Sequence, residues 1–238
     1  MQGMVIHLVF DLLAALSATT LTGIIYNWRL KGGAADPQGQ ISRTYLAALI
    51  AGAVIGGYGF GTGNLWLSGH NEIGRSILGA LAGGIAAIES YKWTHRIRRS
   101  TGLIFVGAFA ASVTVGRIGC LMAGFDDQTF GAPTGYGWGW DFGDGIPRHP
   151  VQLYESAAMA VFLVYALWAF WRRQPFFMRN GFYLLVAVYA LQRFLWEFLK
   201  PYATVLGPLN IFHILCLVLI AYSAYMIVRE RRLEHASA

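Results

Sequence analysis

Charge is scarce in this chain. Only 13% of its 238 residues are Asp, Glu, Lys or Arg, against 56% hydrophobic, which leaves too little polar surface to cover a water-soluble globule. Cysteine is scarcer still. Cys120 and Cys216 both fall in apolar runs, which argues against a disulfide scaffold. Met1 to Phe10 has no basic n-region and no clear small-residue cleavage site, so the first apolar run is expected to be a retained helix and not a signal peptide. There is no solenoid-length repeat, no heptad run and no low-complexity linker. The bases form no stripe, which excludes a nucleic-acid surface.

What is present is apolar length. Mean hydropathy is +0.48, and seven segments of roughly 18–24 residues are each long enough to cross a hydrocarbon layer as a helix. They lie near 4–27, 43–66, 74–92, 101–124, 151–171, 181–199 and 208–228. The expected fold is therefore an all-α polytopic membrane protein, a single seven-helix domain over 1–238. Charge orients it, because basic short loops stay on the cytoplasmic side. Arg29, Lys31 and Arg43 follow segment 1; Lys92, Arg96, Arg98 and Arg99 follow segment 3; Arg172, Arg173 and Arg179 follow segment 5; Arg229, Arg231 and Arg232 follow segment 7. These are 13 of the 18 Lys and Arg residues. All follow odd-numbered segments, so the N-terminus is expected outside and the C-terminus in the cytoplasm.

The remaining bases, Arg75, Arg117, Arg148, Arg193 and Lys200, then fall on the outer side or in the outer part of a helix. Most of the acids join them, among them Asp11, Glu72, Asp126, Asp127, Asp141, Asp144, Glu155 and Glu197, as do His7, His70, His149 and His213. An ionisable residue inside a membrane segment costs a few kcal/mol and signals function. Arg117 and Arg193 each lie about two turns from the outer end of their segments, near the depth of a phospholipid headgroup, and a guanidinium fork suits phosphate oxygens. Arg193 is also spaced to pair with Glu197 at i,i+4. Arg117 has no acid within four residues on its own helix, so its partner must come from another segment.

The outer loop 125–149 is the longest connection, rich in glycine and carrying two tryptophans and four aspartates. Long irregular loops of this kind are usually functional. It ends in PRHPVQLYE, residues 147–155, with Pro150 placed to start a helix. Gln152 and Glu155 then sit in that helix's first turn, as caps or as site residues, and His149 has the ordinary imidazole range for proton transfer. The glycines of segments 2 and 3 read as close helix packing. His70, His149, Asp126 and Asp127 lack any HxxEH or HxxxH spacing, so no metal is expected, and no cofactor motif is present.

Three stretches together resemble the prolipoprotein diacylglyceryl transferases, the Lgt family: PRHPVQLYE, Arg117 within VGRIG, and GFYLLVAVYALQRFLWEFLKP at 181–201. The resemblance spans about residues 65–228. It implies a seven-helix enzyme of the bacterial inner membrane, with its active site facing outward. The activity it implies moves the diacylglyceryl group of phosphatidylglycerol to a preprolipoprotein cysteine and releases glycerol phosphate. By motif, Arg117 and Arg193 are the implied phosphate-handling arginines. Tyr189, Gln152, Tyr154, Glu155 and Glu197 are matched as substrate-binding positions beside Arg148. His149 belongs to the most specific element, and His70 is the candidate for the family's His-Gly-Gly histidine.

The chain departs from the pattern at the acceptor end. The family's Asn-Phe-x-Asn-Gly-Glu after Gly-Arg-x-Gly is replaced by Cys120-Leu121-Met122-Ala123-Gly124-Phe125, and His70 is followed by Asn71 and Glu72. Asp126 and Asp127 stand where the amides are lost, and Cys120 reads as packing. The departures leave open a related enzyme with phosphatidylglycerol or another anionic phospholipid as donor and a different acceptor, with Asp126 or Asp127 as base. A non-enzymatic lipid-binding or transport protein is the third reading.

Overall fold

The computed structural model describes residues 2–33, 36, 37 and 39–235. It contains seven α-helices: α1 (Gln2–Ile25, continued by a π turn at Tyr26–Leu30), α2 (Arg43–Leu67), α3 (Ile77–Thr94), α4 (Val106–Ala123), α5 (Val151–Trp171), α6 (Pro175–Glu197) and α7 (Ile211–His235). The starts follow from local chemistry. Ser42 and Ser76 accept the Tyr45 and Gly79 amides at 3.1 and 3.0 Å and cap α2 and α3. Pro175 stands in the first turn of α6, and Pro150 immediately precedes α5. Gly124, at φ +71°, ends α4.

Five stretches, Val5–Leu30, Arg43–Leu67, Leu103–Ala123, Val151–Trp171 and Ile211–Arg232, are long and apolar enough to cross a membrane. Their outward faces are apolar, with Leu8, Leu12, Leu16, Ile55, Val161, Val164 and Val218 exposed, as a lipid-facing surface requires and a water-facing one avoids. The two other expected spans, α3 and α6, form as helices but fall outside this set. In α6 the reason is Gln192, Arg193 and Glu197, all buried. The helix also begins six residues earlier than expected, at Pro175, and α7 runs to His235, past the expected end at 228.

The helices fall into two compact units, each built from two stretches of chain. The first takes residues 1–36 and 102–201 and the second residues 37–101 and 202–238. In the second unit α2 packs on α3 through glycines. A Cβ on Gly56 would stand 2.3 Å from the Gly79 carbonyl oxygen, and one on Gly83 would stand 2.1 Å from that of Gly52. Small residues thus set the interhelix distance. Tyr222 of α7 donates to Glu89 of α3 at 2.9 Å.

In the first unit α1 runs antiparallel to α4. Gly107 of α4 meets Ile25, and Gly119 meets Phe10. Ser156 of α5 donates to the Thr114 carbonyl of α4 at 2.7 Å, and Phe109 of α4 stacks edge-on to Tyr189 of α6 at 5.0 Å. Phe170 and Phe177, both fully buried, close the α5–α6 turn in a T-shaped pair. The N-terminal ends of α1 and α5 and the C-terminal ends of α4 and α6 consequently share one end of the unit.

Gly119 has the sharpest packing consequence. A Cβ there would stand 2.3 Å from the Phe10 Cβ, whereas nothing lies within 4 Å of a Cβ on Gly116. Gly119→Ala is expected to destabilise the protein by about 1–3 kcal/mol through overpacking, and Gly116→Ala to be near neutral. Thermal unfolding in detergent checks the pair; equal melting temperatures would show that α1 yields freely.

Candidate active site

Five charged side chains converge in the shared end of the first unit. Glu155, in the second turn of α5, is fully buried. Arg117, two turns from the end of α4, reaches it through Nε, 2.5 Å from Glu155 Oε2. Arg193 of α6 pairs with Glu155 through Nη1 and with Glu197 through Nη2 at 3.0 Å. Lys200, just past α6, places Nζ 2.8 Å from Glu155 Oε1 and 3.9 Å from Glu197 Oε2. Arg117 is 4% exposed, Arg193 3% and Lys200 6%. Charges this deep persist only when paired. Three cations face two carboxylates, so the cluster itself carries a net positive charge and favours a further anion.

Arg117 therefore has the partner that its own helix cannot supply, and the Arg193–Glu197 spacing forms the pair its register allows. Both arginines are held by carboxylates in one buried site, as a preorganised anion clamp requires. Gln152, one turn before Glu155, is 1% exposed, and neither atom of its amide makes a hydrogen bond within the protein. A buried amide left so costs about 1–3 kcal/mol. Tyr189, also buried, packs on the same side of α6 as Arg193, one turn earlier.

A second polar group adjoins the first. Arg117 Nη1 lies 3.7 Å from the Cys120 Sγ, and His7 Nε2 lies 2.9 Å from Asp127 Oδ1. Asp127, in the short turn Gly124–Asp127 after α4, also accepts from Thr129. Burial raises its carboxyl, but the His7 hydrogen bond and the Arg117 charge outweigh that and hold it below the usual carboxylate range. Cys120 is buried, as a packing residue would be, yet its neighbours are polar. Phe10 fits against Gly119, and this brings His7, one turn earlier on α1, to Cys120 and Asp127.

The connection from 128 to 149 folds over the start of α5. Trp140–Asp141 pairs antiparallel with Pro147–Arg148, and Asp141 accepts the Gly143, Asp144 and Gly145 amides at 2.8–3.1 Å. Arg148 is spent on this loop: it forks onto Asp144 at 2.7 and 2.8 Å and lies over the Phe125 and Phe130 rings. The Ala132 amide ties the loop to the Leu199 carbonyl at 2.6 Å. Tyr154 accepts from Trp138 Nε1 at 3.1 Å, and its hydroxyl is 3.4 Å from His149 Nδ1.

The structure thus gathers Arg117, Gln152, Glu155, Tyr189, Arg193 and Glu197 at or beside one cluster, and places Tyr154 and His149 at its loop edge. His70 belongs to the second unit, exposed on the turn after α2. The side chain of Asp126 lies outside the described residues. His7, Lys200 and Cys120 are additions. The first two were visible in the sequence only as outer-side ionisable groups, and Cys120 as an apolar-run thiol.

A family model described as prolipoprotein diacylglyceryl transferase matches residues 11–229. The chain is similar to a phosphatidylglycerol–prolipoprotein diacylglyceryl transferase of Nitratidesulfovibrio vulgaris strain DP4, 30% identical over 231 residues, covering 87% of this chain and 86% of the relative. It is 33% identical to the enzyme of the same name from N. vulgaris strain Miyazaki F over 171 residues, 66% of this chain and 61% of the relative. With that from Thermosynechococcus vestitus it shares 32% over 171 residues, again 66% and 61%. In the last two the match spans about three-fifths of the relative's length.

Two outcomes follow from this geometry. Glu155→Gln leaves three buried cations facing one carboxylate and is expected to cost about 3–5 kcal/mol, read as a fall in unfolding temperature in detergent; an unchanged value would mean that the cations are solvated. At the loop, the hydrogen bond from Arg148, ahead of a smaller opposing effect of burial, holds the Asp144 carboxyl below its usual value. A depressed carboxylate stabilises fully above its unfolded pKa of about 4 and loses that contribution as pH falls through the folded value. Cleavage of the loop by an acid-active protease is expected to accelerate below about pH 4 in the wild type, and Asp144→Asn should abolish that pH step.

Proposed function

The chain belongs to the prolipoprotein diacylglyceryl transferase family, and from that premise we propose that it moves the diacylglyceryl group of phosphatidylglycerol onto the cysteine thiol of a preprolipoprotein. The observation that carries this reading is the buried pair Arg117 and Arg193, both held by Glu155 in a cluster with an excess of positive charge. In the transfer the acceptor sulfur attacks the glycerol carbon that bears the phosphate ester. A C–S bond forms, the C–O bond breaks with its electron pair, and glycerol phosphate leaves. The charge that grows on the departing phosphate meets two fixed guanidinium groups, which need no reorganisation as the reaction proceeds. Gln152 binds a polar group of the lipid, and Tyr189 and Glu197 hold Arg193 in register. His149 and Tyr154 border the acceptor's approach.

The same reading sets the chain in the bacterial inner membrane, crossing it seven times with the N-terminus outside and the cluster near the outer surface. The bias of basic residues toward the connections after helices α1, α3 and α5 and toward the tail supports that orientation. It brings the 128–149 loop to the side on which secreted precursors arrive.

The test is direct. Purified protein is incubated with labelled phosphatidylglycerol and a lipobox peptide, and both the peptide and the released headgroup are followed. Peptide modification with stoichiometric glycerol phosphate release is expected. Lipid turnover without peptide modification would point to another acceptor, and no covalent product at all would defeat the transferase reading. Arg117→Lys keeps the charge but loses the fork, so its turnover is expected to fall by at least about 10²-fold, in the range of a lost transition-state donor; full activity would remove the arginine from phosphate handling.

A further inference from the structure

We propose that His7, Cys120 and Asp127 form a zinc site with one open coordination position, and that this position takes the acceptor thiol as a thiolate. The second half rests on the transferase reading above; the first does not.

Three different donors meet here from three separate elements: an imidazole from α1, a thiol from α4 and a carboxylate from the turn that follows it. One ligand atom from each lies within 4.8 Å of the other two, and the imidazole and carboxylate are already 2.9 Å apart. A tetrahedral zinc with bonds of about 2.0–2.3 Å sets its ligands about 3.3–3.7 Å from one another. The shortest spacing lies just below that range and none exceeds 4.8 Å, so side-chain shifts of about an ångström are enough. The site is also sheltered: the His7 and Asp127 side chains are 15% and 10% exposed, and Cys120 is 9% exposed.

The donor set selects the ion. Magnesium and calcium call for all-oxygen shells, whereas mixed nitrogen, sulfur and oxygen ligands suit zinc. Thiolate and carboxylate together neutralise the dication. The Arg117 guanidinium faces Glu155 through Nε, and its Nη1, 3.7 Å from Sγ, is placed as an outer hydrogen bond to the coordinated sulfur. Among the described residues the ligands number three, not four, which is the pattern of a site that keeps a position for water or substrate.

The chemistry gives that position a use. A free thiol with a pKa near 8.5 is mostly protonated at neutral pH, and only the thiolate attacks. A thiol bound to zinc is deprotonated outright. The acceptor's S–H proton passes to solvent on binding, and the bound thiolate forms the C–S bond while the phosphate departs with the C–O electron pair; the zinc changes neither charge nor oxidation state. Arg117 touches both halves of the site, sulfur on one side and the carboxylate-held cluster on the other. The competing arrangement is a metal-free cluster in which the Cys120 thiol donates to Asp127.

Metal content separates them. Full-length protein purified in detergent and cleared of loosely held ions is expected to retain about one zinc per chain. Cobalt exchanged into it is expected to show a thiolate-to-cobalt charge-transfer band that is lost in Cys120→Ala. Asp127→Asn, nearly isosteric, is expected to weaken zinc retention by at least about tenfold and guards against a variant that fails to fold. A lipobox peptide should shift the cobalt spectrum, and its Cys→Ser analogue should not. Folded wild-type protein that takes up neither metal, or Cys120→Ala that retains it unchanged, overturns the site. Undiminished peptide lipidation after the zinc is stripped overturns its role. Stoichiometric zinc with no lipid transfer to any peptide would instead defeat the transferase reading and leave the metal site standing.

Discussion

A fully buried carboxylate in contact with three cations is the constraint on which the first unit depends. Taking Glu155 out of water costs several kcal/mol, and that penalty is offset only if Arg117, Arg193 and Lys200 all arrive. Arg117 comes from α4 and Arg193 and Lys200 from the end of α6, so the carboxylate fixes how α4, α5 and the end of α6 meet. The register of α5 is set in turn by Pro150, which begins the helix five residues earlier. Gln152 and Glu155 project from the first two turns because of that start. The loop that precedes Pro150 is tied to the end of α6 through Ala132 and Leu199, so one short motif positions the clamp, its unpartnered amide and its cover.

How far this was legible in the sequence depended on whether the signal was local. Apolar length located all seven helices, of which five are long and apolar enough to cross a membrane. The i,i+4 relation of Arg193 and Glu197 was readable because helical periodicity alone places them together. That Arg117 needed an acid from elsewhere was readable from the absence of one nearby, but which acid was not. Glu155 looked equally like a helix cap, since its burial depends on α4 and α6 and leaves no mark in its own segment. The start of α6 differs from the expected one because Arg179 and Asn180 interrupt the apolar run there, although the helix continues back to Pro175.

Cys120 shows the same limit more sharply. In an apolar run a thiol reads as a small hydrophobe, and burial agrees with that reading. Its polar surroundings come from α1, a helix distant in sequence, through a contact that Gly119 makes possible by offering no side chain to Phe10. The informative residue was therefore the glycine. A glycine beside a cysteine at the end of a membrane helix marks where another helix approaches closely, and the ionisable groups on that second helix are the ones to inspect.

Cys120, where the family resemblance leads one to expect an asparagine, and Asp127 beyond it also change what Arg117 experiences. An asparagine is neutral and leaves the guanidinium free to serve the phosphate. Without a metal Cys120 is a neutral thiol, but the Asp127 charge acts on the same guanidinium and competes with the phosphate for it. A divalent ion held between Cys120, Asp127 and His7 removes that competition, because the two negative ligands are neutralised by the metal and not by the arginine. Charge balance thus ties the residues at which this chain leaves its family's pattern to the arginine at which it keeps it. The donor cluster retains its excess positive charge only if the acceptor side next to it is close to neutral.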